Sequence, residues 1–164
     1  MKTPLWDSSN DQSKSTRSTV VALINQQLAD AIDLGLQAKQ AHWNVKGPSF
    51  GALHLLFDDV AEKIDELTDV LAERGVALGG IIHGTVQVVA RDSRLDAYPL
   101  APLAGMEHVA ALSAALAAYA KTTRAAIDAS DKAGDKGTAD TFTDISRGID
   151  DLLWKVEAHL AAKS

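Results

Sequence analysis

Two long stretches in which apolar residues recur every three or four positions, separated by a Gly-Pro break, constrain this chain more than any other feature. In the first, Val21, Ile24, Leu28, Ile32 and Leu36 form a stripe that starts after Thr16, runs to Trp43 and stops at Gly47-Pro48. Such spacing is one face of an α-helix, and its roughly 28 residues make a rod of about 42 Å. In the second, Ser49 stands at a capping position ahead of Leu53, Leu56, Phe57, Val60, Ile64, Leu67 and Leu71, and the pattern continues to Gly75 and the Gly79-Gly80 pair. Rods this long joined by so short a turn pack antiparallel. A third stripe (Val109, Leu112, Leu116, Tyr119) lies within residues 105–130 and a fourth (Phe142, Ile145, Ile149, Leu152, Leu153, Val156, Leu160) within residues 138–163.

The stretch from Gly75 to Pro102 is too long for a simple turn. Within it, Thr85 to Arg91 has the residues of a short helix or of a strand, and the helix is the preferred reading. The expected architecture is therefore all-α: a four-helix bundle with one long crossover between its second and third helices. Residues 1–15 are polar, with Pro4 and only Leu5 and Trp6 as apolar anchors, the composition of a flexible N-terminal arm. The bundle domain then spans residues 16–164.

Charge and cysteine content narrow the chemistry. Sixteen Lys and Arg against 22 Asp and Glu give a net charge of −6, the wrong sign for following nucleic acid by bulk electrostatics. There is no cysteine, which excludes disulfides, iron–sulfur clusters and thiol catalysis and leaves His, Asp and Glu as metal ligands. No apolar run approaches the roughly 18 residues of a membrane span, and no secretory signal is present. The expected location is the cytoplasm, with no membrane partner.

Five histidines occur, at positions 42, 54, 83, 108 and 159. The informative ones lie on or beside the second helix. With His54 as origin and about 100° per residue, Asp58 falls near 40°, Asp69 near 60° and Glu73 near 100°. All four share one sector, facing away from the apolar stripe. No Glu-x-x-His is present, the motif that points inward in bundles holding a di-metal centre within one subunit. Asp58 and Asp69 are also about 16 Å apart along the axis, too far to share one centre. His54/Asp58 and Asp69/Glu73 must act as separate halves, which two antiparallel copies of the helix related by a two-fold axis would bring face to face. Spacing alone also suits a plain solvated acidic face, to which Asp59 and Glu62 would belong. His42, on the edge of the first stripe, is either a further ligand or a core histidine, and His83, His108 and His159 are read as structural or surface residues.

At these residues the sequence resembles the Dps family, miniature ferritins named for DNA binding in starved cells. The resemblance is carried by Lys39-Gln-Ala-His-Trp-Asn-Val-Lys-Gly-Pro48, by His54-x-x-x-Asp58, by Asp69-x-x-x-Glu73-Arg74 and by Leu78-Gly79-Gly80. Thr138-Ala139-Asp140 and Leu153-Trp154 extend it into the fourth helix. It implies a ferritin-like four-helix bundle, with the short helix in its crossover, assembled as a hollow homo-dodecamer. It further implies a di-iron ferroxidase centre shared between two subunits: His42, His54 and Asp58 from one chain, Asp69 and Glu73 from its mate. The implied reaction is oxidation of Fe(II), chiefly by hydrogen peroxide, with ferric mineral stored inside and oxidative damage limited. The family likewise implies a pore for iron uptake lined by aspartates, for which Asp131, Asp135 and Asp140 are the candidates. The alternative for that segment is a polar turn in which Thr138 caps the fourth helix. Trp43 resembles the family's sink for stray oxidising equivalents, against the reading of an ordinary packing residue. DNA binding, which would make this a nucleoid protein, is less supported: residues 1–20 hold three basic residues (Lys2, Lys14, Arg17) against Asp7 and Asp11.

Overall fold

The computed structural model describes residues 5–101 and 103–160. It contains α1 (Lys14–Asn44), α2 (Phe50–Ala77), α3 (Val86–Asp92), α4 (Gly105–Lys132) and α5 (Lys136–Glu157), with no β-strand among the described residues. The four long helices are the four expected from periodicity. The short crossover helix is present as α3, and α5 begins two residues earlier than the stripe suggested. The expected continuation of the fourth helix to Lys163 lies in part outside the described residues.

α1 packs principally on α2 and α4 on α5, while α1–α4 and α2–α5 contacts close the bundle and α3 rests on α1. Each helix contributes its apolar stripe to one core, in which Ile24, Leu28, Leu34, Phe57, Ile64, Leu71, Leu112, Leu116, Tyr119, Phe142 and Ile149 are all buried. Area removed from water at about 25 cal/mol per Å² is the driving term. His108 also belongs to this core, its Nδ1 lying 2.7 Å from the Tyr98 hydroxyl. Burial pushes the His108 pKa down and that of Tyr98 up to about 12, so both are neutral.

Helices α2 and α4 end alike. After α2, Gly79 adopts φ +79°, its N–H donating to the Val76 carbonyl at 2.8 Å while that of Gly80 donates to Gly75 at 2.9 Å. After α4, Gly134 (φ +88°) and Asp135 repeat the pair with Asp131 and Ser130. These bonds satisfy the last carbonyls of each helix and need a left-handed residue, which glycine adopts without steric cost.

The N-terminal segment differs from a free arm as far as it is described. Residues 1–4 lie outside the described residues, and Lys14 and Ser15 belong to α1. Leu5 bridges Gly80, and the Trp6 N–H donates to the Gly79 carbonyl at 2.8 Å. Buried Arg17 donates to the Leu78 carbonyl beneath. A Cβ at Gly79 would stand 2.9 Å from the Trp6 carbonyl oxygen. Gly79→Ala is therefore expected to cost about 2 kcal/mol through left-handed strain and crowding, and to release residues 5–13 to limited proteolysis at the same time.

Candidate metal-binding site

The end of α1 and the start of α2 lie side by side, because the turn between them is only five residues long. Gly47 supplies its left-handed residue at φ +106°. This places His42 in the last turn of α1 against His54 in the first turns of α2. Their rings stack with centroids 3.8 Å apart. Each Nδ1 approaches the other residue's backbone carbonyl, at 2.8 Å from His42 to His54 O and at 2.9 Å from His54 to His42 O.

A carbonyl oxygen only accepts, so each Nδ1 carries a hydrogen, which makes Nε2 the nitrogen through which either ring can bind a metal. Fixing one imidazole nitrogen on a carbonyl is how proteins orient a metal-ligating histidine. Phe50 stacks on the outer side of His54 at 5.0 Å. His42 is mostly buried, 13% of its side chain exposed, and hydrogen-bonded through Nδ1, at the edge of the core where it pairs with His54.

Asp58, one turn beyond His54, has an oxygen 3.9 Å from His42 Nδ1 and accepts an ion-paired hydrogen bond from Lys39. That bond, helped by the charges around it, holds the Asp58 carboxyl below its ordinary value. It stands ionised next to the paired rings, and carboxylate with imidazole is a donor combination that suits first-row divalent metals. Lys39 is the residue that motif reading left without a role. The signal was its position three residues before His42, on the same face of α1.

Asp69 and Glu73 lie on the same face of α2 toward its far end, exposed and without hydrogen bond or ion pair among the described residues. One chain does not bring the two halves together. Among the described residues of the single chain no group of three or more His, Asp or Glu is arranged to hold a metal ion, His42, His54 and Asp58 included. Asp59 and Glu62 are exposed beside the site.

The aspartates of the α4–α5 turn divide. Asp131 is exposed and paired with Lys136 at 3.0 Å, and Asp140 is exposed. Asp135 must be removed from the pore candidates, because it is 0% exposed. It, and not Thr138, caps α5: Oδ1 accepts from the Thr138 N–H at 3.0 Å and Oδ2 from the Thr138 hydroxyl at 2.6 Å. The Arg74 guanidinium reaches both oxygens, at 2.8 and 3.1 Å, and its Nε donates to the Thr138 hydroxyl at 2.8 Å. Trp43 is 67% exposed, so it is not an ordinary packing residue of the isolated chain.

Comparison with known proteins places these features in context. The sequence model for the ferritin-like domain family matches residues 21–163. The chain is 45% identical over 155 residues to the "DNA protection during starvation protein" of Agrobacterium fabrum, covering 94% of this chain and 96% of that one. Among solved structures, DpsA14 from Streptomyces coelicolor superposes with a TM-score of 0.93 at 26% identity, covering 99% of this chain and 96% of the other. Dps from Microbacterium arborescens, solved in a high iron form, gives 0.84 at 31% identity over 90% of this chain and 95% of that one.

Proposed function

This chain belongs to the Dps family of ferritin-like proteins, and on that premise we propose that it oxidises Fe(II), preferentially with hydrogen peroxide, and stores the ferric product in a hollow dodecamer. The observation that carries this reading is the reciprocal His42–His54 lock, which leaves Nε2 of each ring without a hydrogen-bond partner among the described residues and has the ionised Asp58 close by, its Oδ1 3.9 Å from His42 Nδ1. The family's general association with iron, and the high iron form of a 31% identical relative, support iron as the metal for such donors.

Half a donor set is not a site, and the unpaired Asp69 and Glu73 are the missing half. In the proposed assembly two copies of α2 cross antiparallel about a two-fold axis, so that His42, His54 and Asp58 of one chain face Asp69 and Glu73 of its mate. Two such centres form per dimer. Two Fe(II) ions lose one electron each, and one hydrogen peroxide takes both electrons with two protons to give two waters. Pairing the electrons avoids the one-electron reduction that releases hydroxyl radical. Trp43, exposed beside His42, is placed to absorb oxidising equivalents that escape. Asp131 and Asp140, around a three-fold axis, supply the negative field that draws Fe(II) inward.

Stopped-flow absorbance of Fe(II) oxidation tests the reading. Under anaerobic peroxide the protein is expected to oxidise iron far faster than under air, and a rate equal to the protein-free blank under both would refute it. Lys39 gives a finer check. Because it competes with metal for Asp58, Lys39→Met is expected to tighten binding of Co(II), as a redox-inert probe, a few-fold.

Protection of DNA, in this reading, is chemical and does not depend on holding DNA. The chain carries −6, and the described part of the arm is docked on the Gly79-Gly80 turn that follows α2, with Lys14 committed to α1. No retardation of duplex DNA is expected at physiological salt.

A further inference from the structure

The proposed two-fold pairing fixes a register, and the register says where the docked arm of one chain must go. If His54 faces Glu73 and Asp58 faces Asp69, the axis crosses α2 between Lys63 and Ile64. Gly51 then lies opposite Val76, and the Gly79 end of one α2 lies opposite Pro48 in the α1–α2 turn of the other.

In this register exposed Glu62 and Asp65 face their counterparts near the axis, a cluster of four carboxylates that the pairing must tolerate, and one apolar pair near the helix ends matches. Val76 is exposed and sits about 40° from His54 on the helix wheel, within the ligand sector; Gly51 sits at about 60°. A Cβ at Gly51 would meet nothing within 4 Å, which leaves room for a branched side chain against it. The N-terminal segment adds an aromatic group at the same end. Hydrogen bonding of the Trp6 N–H to Gly79 holds Trp6 there with 70% of its surface exposed. At the other end of α2, Trp43 and Phe50 are exposed around the candidate site. In one chain these two aromatic groups stand at opposite ends of a 28-residue helix, about 40 Å apart. Antiparallel pairing at a separation of about 8–10 Å brings each within reach of the other.

We infer that Trp6 of each subunit packs on the partner's Trp43 and Phe50, so that the docked arm of one chain covers the rim of the iron site formed at the start of its partner's α2. The occupant of the exposed apolar patch around Trp43 and Phe50 is thus a second copy of this chain. The inference rests on the two-fold reading above, but it concerns a segment which that reading does not require.

The chain contains no cysteine, so introduced thiols report proximity directly. Trp6→Cys combined with Phe50→Cys, treated with a short bismaleimide in the intact assembly, is expected to run as a covalent dimer on a denaturing gel, and neither single variant is. Helix length rules out a bond within one chain. Asp7→Cys with Lys46→Cys asks the same question and leaves both aromatic side chains in place. Gly51→Cys with Val76→Cys is the control for the pairing of α2 itself. A dimer from the helix pair with none from either arm pair overturns the inference and leaves the shared site standing. No dimer from any pair overturns the two-fold reading and the inference with it.

Discussion

Replacing His54 and Asp58 together by alanine is expected to bring peroxide-driven Fe(II) oxidation down to the protein-free rate while the assembled protein remains folded. The expectation is strong because the double change removes one imidazole of the pair, the nearby carboxylate and the lock on the partner ring. His54 Nδ1 donates to the His42 carbonyl, and its own carbonyl holds His42 Nδ1. Without the side chain of His54, the ring of His42 loses its stacking partner. Stability should change little by comparison. Both residues are only part-buried on the polar side of α2, so neither change opens a cavity in the core. Circular dichroism and size exclusion check the second half of the expectation, and stopped-flow absorbance the first. A double variant that still oxidised iron at the full rate would remove this site from the chemistry.

Arg74→Ala should do the opposite, hurting the fold more than the site. Asp135 is wholly buried, and Arg74 supplies the counter-charge. Removing one partner of a buried pair leaves an uncompensated charge, typically at a cost of about 3–5 kcal/mol. Thr138 continues to hold both carboxylate oxygens, so the lower end, about 3 kcal/mol, is expected by chemical denaturation. The double variant Arg74→Met, Asp135→Asn leaves no buried charge and should recover a good part of that loss. The same carboxylate gives the fold an acid limit. Burial alone would raise the Asp135 pKa, but the Thr138 hydroxyl and backbone N–H, with Gln12 and Arg74, hold it below the usual range. Its stabilising contribution is present above the unfolded carboxylate value of about 3.9. It is lost as pH falls through the lower folded value, where the native state must take up the proton. Asp135→Asn, less stable at neutral pH, should show a shallower loss in acid.

Features governed by neighbours along the chain were legible in the sequence. Helix periodicity located all four long helices, since burying one stripe is what a bundle helix must do. The wheel of α2 placed His54, Asp58, Asp69 and Glu73 on one outward face because that property belongs to a single helix. Contacts between distant segments were not legible. Lys39 sits on Asp58 because α1 and α2 are antiparallel, not because of any local motif. Asp135 looked like one of several solvated aspartates in a polar turn. It is buried because Arg74, 61 residues away, arrives from the end of α2. Gly79-Gly80 showed itself as a helix stop, whereas its second role is to receive Leu5 and Trp6. A left-handed glycine exposes backbone that a passing segment can pair with, and nothing in a polar N-terminal composition announces that pairing.

The claim on which everything else depends is that each iron site is built from two chains. It is tested most directly by unfolding and co-refolding two inactive proteins, His54→Ala/Asp58→Ala and Asp69→Ala/Glu73→Ala, in equal amounts. A mixed dimer then holds one site with all its ligands intact and one with none of these four. Random pairing predicts that the mixture regains about a quarter of the wild-type rate of peroxide-driven Fe(II) oxidation, although each parent alone stays at the blank. A mixture that assembles normally and remains at the blank would contradict the shared site.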